Sequence, residues 1–141
     1  MDGTSIAALA VCSMLTLIAA VHFYWALGGS AWKAGAVPSK NGTPVLSPGP
    51  CSTALVGVVL LGMAMVVAST AGLVPAVLPN TVSRGASAIL ALIFAARAIG
   101  EFRYVGFFKR VRGSTFATHD TYLYSPLCLL LAILIALIVL A

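Results

Sequence analysis

The chain reads as an all-α integral membrane protein, a four-helix bundle with both termini on the extracytoplasmic side. Three observations lead there. Hydrophobic residues make up 61% of the 141 positions and charged residues only 8%, with a mean hydropathy of +1.09. A water-soluble domain carries roughly 25% charged residues to cover its surface, so that class is excluded. The apolar residues also come in four long blocks, each of the length that crosses a bilayer. Finally, the lysines and arginines fall almost wholly on one side of those blocks. At this length the whole chain, 1–141, is expected to form a single membrane domain.

The first block runs from about residue 5 to 27. The stretch before it holds Asp2 and no lysine or arginine, so the basic flank of a signal peptide is missing and a permanent span is expected. The second block, about 52–72, is closed by Pro75 and Pro79. The third covers about 83–100. The fourth is expected at about 122–141, with Pro126 in its first turn, where a missing N–H costs nothing. About 20 residues at 1.5 Å rise span a ~30 Å hydrocarbon core. None of the blocks alternates polar and apolar residues as a barrel strand would, and lipid offers no partner for unpaired backbone, so the spans are helices.

The connectors differ in kind. Residues 28–50 are rich in Gly, Pro and Ser and carry Trp32, Lys33 and Lys40; residues 73–82 are short and apolar; residues 101–121, EFRYVGFFKRVRGSTFATHDT, are the most polar part of the chain. Lys33, Lys40, Arg103, Lys109, Arg110 and Arg112 lie on the side of the two long connectors, and Arg84 lies alone on the terminal side. The positive-inside rule therefore predicts that the long connectors face the cytoplasm. The net charge of +5 expresses that orientation and does not call for nucleic acid. Cys12, Cys51 and Cys128 are widely separated with no C-x-x-C pair, so neither a disulfide framework nor a metal site is expected.

The ionisable groups near the spans gather at one depth. His22, Arg97, Glu101, His119, Asp120, Tyr122 and Tyr124 all fall near the cytoplasmic ends of their spans. Arg97 and Glu101 are four apart, which predicts an ion pair on one helix face. That pair serves either to let Arg97 reach the headgroups or to hold it as an anion-binding group. His22 and Trp25 share a face of the first span, while Tyr24 points elsewhere. The aromatics make either an interfacial belt or a cavity wall, and His22 either bonds to a neighbouring helix or contacts a ligand. FFKRVRG, residues 107–113, suits anionic headgroups or plain topology enforcement. Ser87, Ala91 and Ala95 form a small-residue row that admits another helix, within the bundle or from a second copy in a homo-oligomer.

HFYWALGG (22–29), RAIGEFRYVGFFKRVRG (97–113) and YSPLC (124–128) together resemble a family of small bacterial four-helix membrane proteins that has only a domain-of-unknown-function label. The resemblance implies a multi-pass protein of the bacterial inner (plasma) membrane. It lends no activity, cofactor or substrate.

The residues themselves point to a polar pocket open to the inner leaflet. Its candidate ligand-binding residues are His22, Trp25, Arg97, Glu101, Arg103 and Tyr124, for an amphipathic, anionic, lipid-like molecule; membrane lipids are the expected partners. His22 and Glu101 are the candidates for acid–base chemistry, but no nucleophile with a neighbouring base can be named, so enzymatic activity stays open. An oligomeric transporter, channel subunit or assembly factor is the main alternative. Against it, the outer halves of the spans offer only Ser13, Thr16, Ser69 and Thr70. A haem held by His22 and His119 is a weaker alternative, because His119 is expected in a loop too shallow for a buried cofactor. A metal site from His22, Glu101, His119 and Asp120 lacks any characteristic spacing.

Overall fold

In the computed structural model, which describes residues 2–141, four helices are long and apolar enough to cross a membrane. They are α1 (Gly3–Ala26), α2 (Pro50–Thr70), α3 (Asn80–Ile99) and α4 (Thr115–Leu140). Asp2 caps α1 by accepting from the Ser5 amide at 2.9 Å, and Pro50 opens α2 at a position where its missing N–H goes unused. The first three boundaries lie within a few residues of those expected from hydropathy.

The fourth does not. α4 begins at Thr115, seven residues before the expected 122, with the Ser114 hydroxyl accepting from the Ala117 amide at 3.0 Å. The polar run TFATHDT hid this start, because hydropathy rises only after it. Pro126 consequently lies inside a long helix and not in its first turn. A proline there lacks an N–H and crowds the carbonyl four residues back. The helix meets this with a wider π turn over Asp120–Tyr124 before resuming as an α-helix at Ser125–Leu140. His119 is therefore on a helix and not in a loop.

The helices pack as two pairs, α1 along α2 and α3 along α4, joined through α2–α3 and α1–α4. Val11, Leu15 and Ala19 of α1 meet Leu60, Ala64 and Val67 of α2, Ala91 and Phe94 of α3, and Leu131, Ile135 and Ile138 of α4. Apolar packing of small and branched residues holds the bundle, since lipid would cover an exposed leucine equally well. Ser87 and Ala91 of the small-residue row are buried within the chain itself. The Ser87 hydroxyl lies 2.8 Å from that of Thr70 and ties α3 to α2 near the short connector. At that same end Arg84 donates to the Val139 carbonyl and joins the start of α3 to the end of α4. Leu17, Leu55, Val58, Leu92 and Leu137 are more than half exposed, which is the apolar surface a bilayer would cover.

The opposite end of the bundle carries the two long connectors. The first leaves α1 and makes a 3₁₀ turn at Lys33–Gly35. It then forms a two-residue hairpin, β1 (Ser39–Lys40) against β2 (Thr43–Pro44), around Asn41–Gly42. Side chains from the helices hold it down. The Trp25 indole donates to the Ala31 carbonyl at 2.7 Å, and the Tyr124 hydroxyl donates to the Gly35 carbonyl at 3.0 Å. The Tyr24 hydroxyl accepts from the Ala31 amide at 3.4 Å. Gly35 is needed for space: a Cβ there would lie 2.3 Å from the His119 ring. The aromatic ending of α1 thus clamps the loop that follows it.

Candidate functional site

The second long connector, residues 100–114, has no regular structure and is organised around one buried carboxylate. Asp120, on the π turn of α4, is fully buried. Its Oδ1 accepts from Arg97 Nη2 at 2.9 Å, and its Oδ2 accepts from Lys109 Nζ at 3.0 Å and from the Gly106 amide at 2.7 Å. Lys109 Nζ also donates to the Gly106 carbonyl at 2.9 Å and to the Thr121 hydroxyl at 2.7 Å. A buried charge is tolerable when it is both paired and hydrogen-bonded, and here each requirement is met.

This arrangement corrects the expected Arg97–Glu101 pair. A four-residue pairing needs the helix to continue through both residues. α3 ends at Ile99, and Gly100, at φ 88°, turns the chain away. Glu101 is exposed and accepts from the Tyr104 amide. Arg103 is exposed as well, its guanidinium 5.1 Å from the Tyr104 ring. Lys109, read from sequence as part of a headgroup patch, is buried, whereas Arg110 and Arg112 stay exposed. The sequence held a signal for the Asp120 pairing: the chain has only three acidic residues against eight basic ones, and an aspartate leading into an apolar helix needs a cation.

Beside this cluster, between the two helix pairs, lies a cavity of about 500 Å³. His22, Trp25, Arg97 and Tyr124 line it, together with Trp32 from the first connector; Glu101 and Arg103 do not. The proposed acid–base partners His22 and Glu101 are therefore not assembled. Nor do His22 and His119 meet in the cavity, since the His119 ring packs on Gly35 and edge-on to Tyr124 at 6.1 Å. Tyr24 is exposed, on a different face from Trp25.

The polar atoms of the cavity wall are few. Arg97 uses Nη2 on Asp120, and its side chain is 33% exposed, while its Nη1 is sealed from the cavity and has no hydrogen-bond partner among the described residues. His22 Nδ1 lies 2.8 Å from the Ile18 carbonyl. A carbonyl only accepts, so Nδ1 carries the proton, and in the neutral ring Nε2 is left with a lone pair. The His22 and Trp25 rings stand edge to face at 5.3 Å. A second cavity of about 580 Å³ shares His22 and Trp25 and is bounded by Lys33, Ser52 and Thr53. The cation cluster of Arg97 and Lys109 with one Asp120 leaves one positive charge in excess at the cavity's edge. Chemically, the wall sets the Arg97 side chain and the His22 ring among mostly apolar neighbours.

No curated protein and no solved structure matches the chain. Residues 15–135 match a family described as "Protein of unknown function (DUF3995)". That range takes in all the residues of the Asp120 cluster and every residue named above on the cavity wall. With most of its length matched, from within α1 to within α4, the chain belongs to the DUF3995 family.

Proposed function

We propose that this protein binds an amphipathic, anionic, lipid-like molecule in the cavity between its helix pairs, at the cytoplasmic leaflet of a bacterial inner membrane. One observation carries the reading: the Arg97 side chain, one-third exposed, lines a largely apolar cavity while Asp120 fixes its Nη2. A guanidinium at the edge of an apolar cavity pairs strongly with an anion. The pairing of Asp120 with Lys109 supports this, because it leaves Arg97 incompletely neutralised. Trp25, Trp32 and Tyr124 suit the boundary between an apolar tail and a polar head. In the other membrane half Thr70 pairs with Ser87 and Arg84 donates to the Val139 carbonyl, which favours a binding site at one level over a continuous path.

Lipid extracts of protein purified in mild detergent test the reading. Arg97→Gln should retain about tenfold less of an anionic amphiphile than the unaltered protein, the factor expected for one hydrogen bond to a charged group. Arg110→Gln, on the exposed surface, should retain it fully. An unchanged anionic profile in Arg97→Gln would remove the proposal. The orientation has its own check. In a variant lacking Cys51, which is exposed, a cysteine at position 40 should resist an impermeant thiol reagent added to intact cells, and one appended after Ala141 should react. The opposite labelling would reverse the topology.

A further inference from the structure

We infer that the ligand is a single-chain anionic amphiphile of limited chain length, held head-up at Arg97 with its tail ending against Leu60 and Leu131. This rests on the binding reading above and adds the class of molecule. The cavity is stratified. Its polar members, His22, Trp25, Arg97 and Tyr124, lie toward the long connectors. One or two helical turns deeper the wall is Ile18, Leu60, Phe94, Leu127 and Leu131, together with the thiol of Cys128.

Its shape limits what fits. The α4 residues on the wall run from Phe116 to Leu131, roughly 20 Å of helix at 1.5 Å per residue. A volume of about 500 Å³ drawn out over that length admits one hydrocarbon chain abreast and not two. A two-chain phospholipid would have to leave its second tail outside the cavity.

Depth sets the second limit. From Tyr124 to Leu131 is about 10 Å along the helix, short of the ~15 Å to the middle of a bilayer. Below Leu131 the bundle is closed, because Leu15 and Ile135 are fully buried in close packing. An extended chain advances about 1.2 Å per bond, so roughly eight carbons fill the space below the headgroup. The head is any compact anion, a phosphate monoester or a carboxylate, that pairs with the Arg97 guanidinium. A phosphate monoester in its monoanionic form also offers an O–H to the His22 Nε2 lone pair.

The two tryptophans of the chain, Trp25 and Trp32, both line the cavity, so intrinsic fluorescence reports on it directly. The probes are n-alkyl monophosphates and n-alkanoates of 4 to 16 carbons, titrated into protein in an uncharged detergent. Affinity should climb about fourfold per methylene, the value of one buried CH₂, and stop climbing near eight to ten carbons. Whichever head binds more tightly identifies the natural one. Leu131→Phe should move that limit down by two or more carbons while leaving butyl phosphate unaffected. Leu60→Phe, on another helix, gives the same test should the first variant fold poorly. A limit unmoved in both variants, or affinity rising without a break to 16 carbons, would overturn the length limit while the binding reading stands. No response to any probe in the unaltered protein would remove the binding reading and this inference with it.

Discussion

Asp120→Ala is expected to destabilise the protein by about 3–5 kcal/mol, the cost of removing one partner from a buried ion pair. The alanine leaves Lys109, whose side chain is 1% exposed, without a counter-charge, and leaves the Gly106 amide without its acceptor. Arg97 loses its anchor but not its access to water, being one-third exposed, so most of the loss traces to Lys109. Asp120→Asn should cost less, because the amide oxygen still accepts one of these hydrogen bonds. Adding Lys109→Met to Asp120→Asn should recover part of the stability, since an uncharged side chain of similar length replaces the orphaned ammonium. Unfolding in mixed micelles by a denaturing detergent measures all three. A loss below about 1 kcal/mol for Asp120→Ala would mean that water or lipid headgroups reach Lys109 and that the cluster is not sealed.

The cluster also shows where sequence reading stopped. The four spans were legible because membrane insertion depends on little more than length and apolarity, and α1, α2 and α3 end within a few residues of where hydropathy placed them. The fourth start was not legible. Ser114 is an ordinary helix cap, but the mostly polar run TFATHDT follows it, and only the π turn explains how a helix carries Pro126 in its interior. That turn decides the site, because it carries Asp120 and Tyr124 at its two ends.

Pairing was legible in kind and missed in detail. A cation inside a span calls for an anion, and the four-residue spacing made Glu101 the local choice. The positive φ of Gly100 ends α3 before the spacing can operate, so the partner comes from 23 residues away. No local pattern encodes such a contact. His22 and Trp25, by contrast, line one cavity with Tyr24 outside it, because the 100° helical step alone fixes that relation.

Gly106→Ala is expected to be among the most damaging changes in the connectors. Gly106 has φ 90°, a conformation that costs an L-residue about 1–2 kcal/mol. Its added Cβ would also lie 2.3 Å from the Ile99 carbonyl oxygen and 2.5 Å from the Gly100 Cα. Both are backbone atoms, so neither can turn aside as a side-chain tip would. The peptide at 106 is itself part of the cluster, its amide on Asp120 and its carbonyl on Lys109. Any shift that relieves the clash lengthens both bonds at once. Gly113→Ala is the matched control, because Gly113 has φ 97° but open space where a Cβ would go. It measures the dihedral cost alone. In thermal unfolding in detergent, Gly106→Ala should therefore lie well below Gly113→Ala, and equal midpoints would show that the connector yields freely around the cluster. The proposed ligand site should register the same displacement. With Asp120 and Lys109 moved, Arg97 loses its fixed orientation, so Gly106→Ala should weaken alkyl phosphate binding without any contact between residue 106 and the cavity. Retained affinity in that variant would place the Arg97 donor under the control of α3 alone.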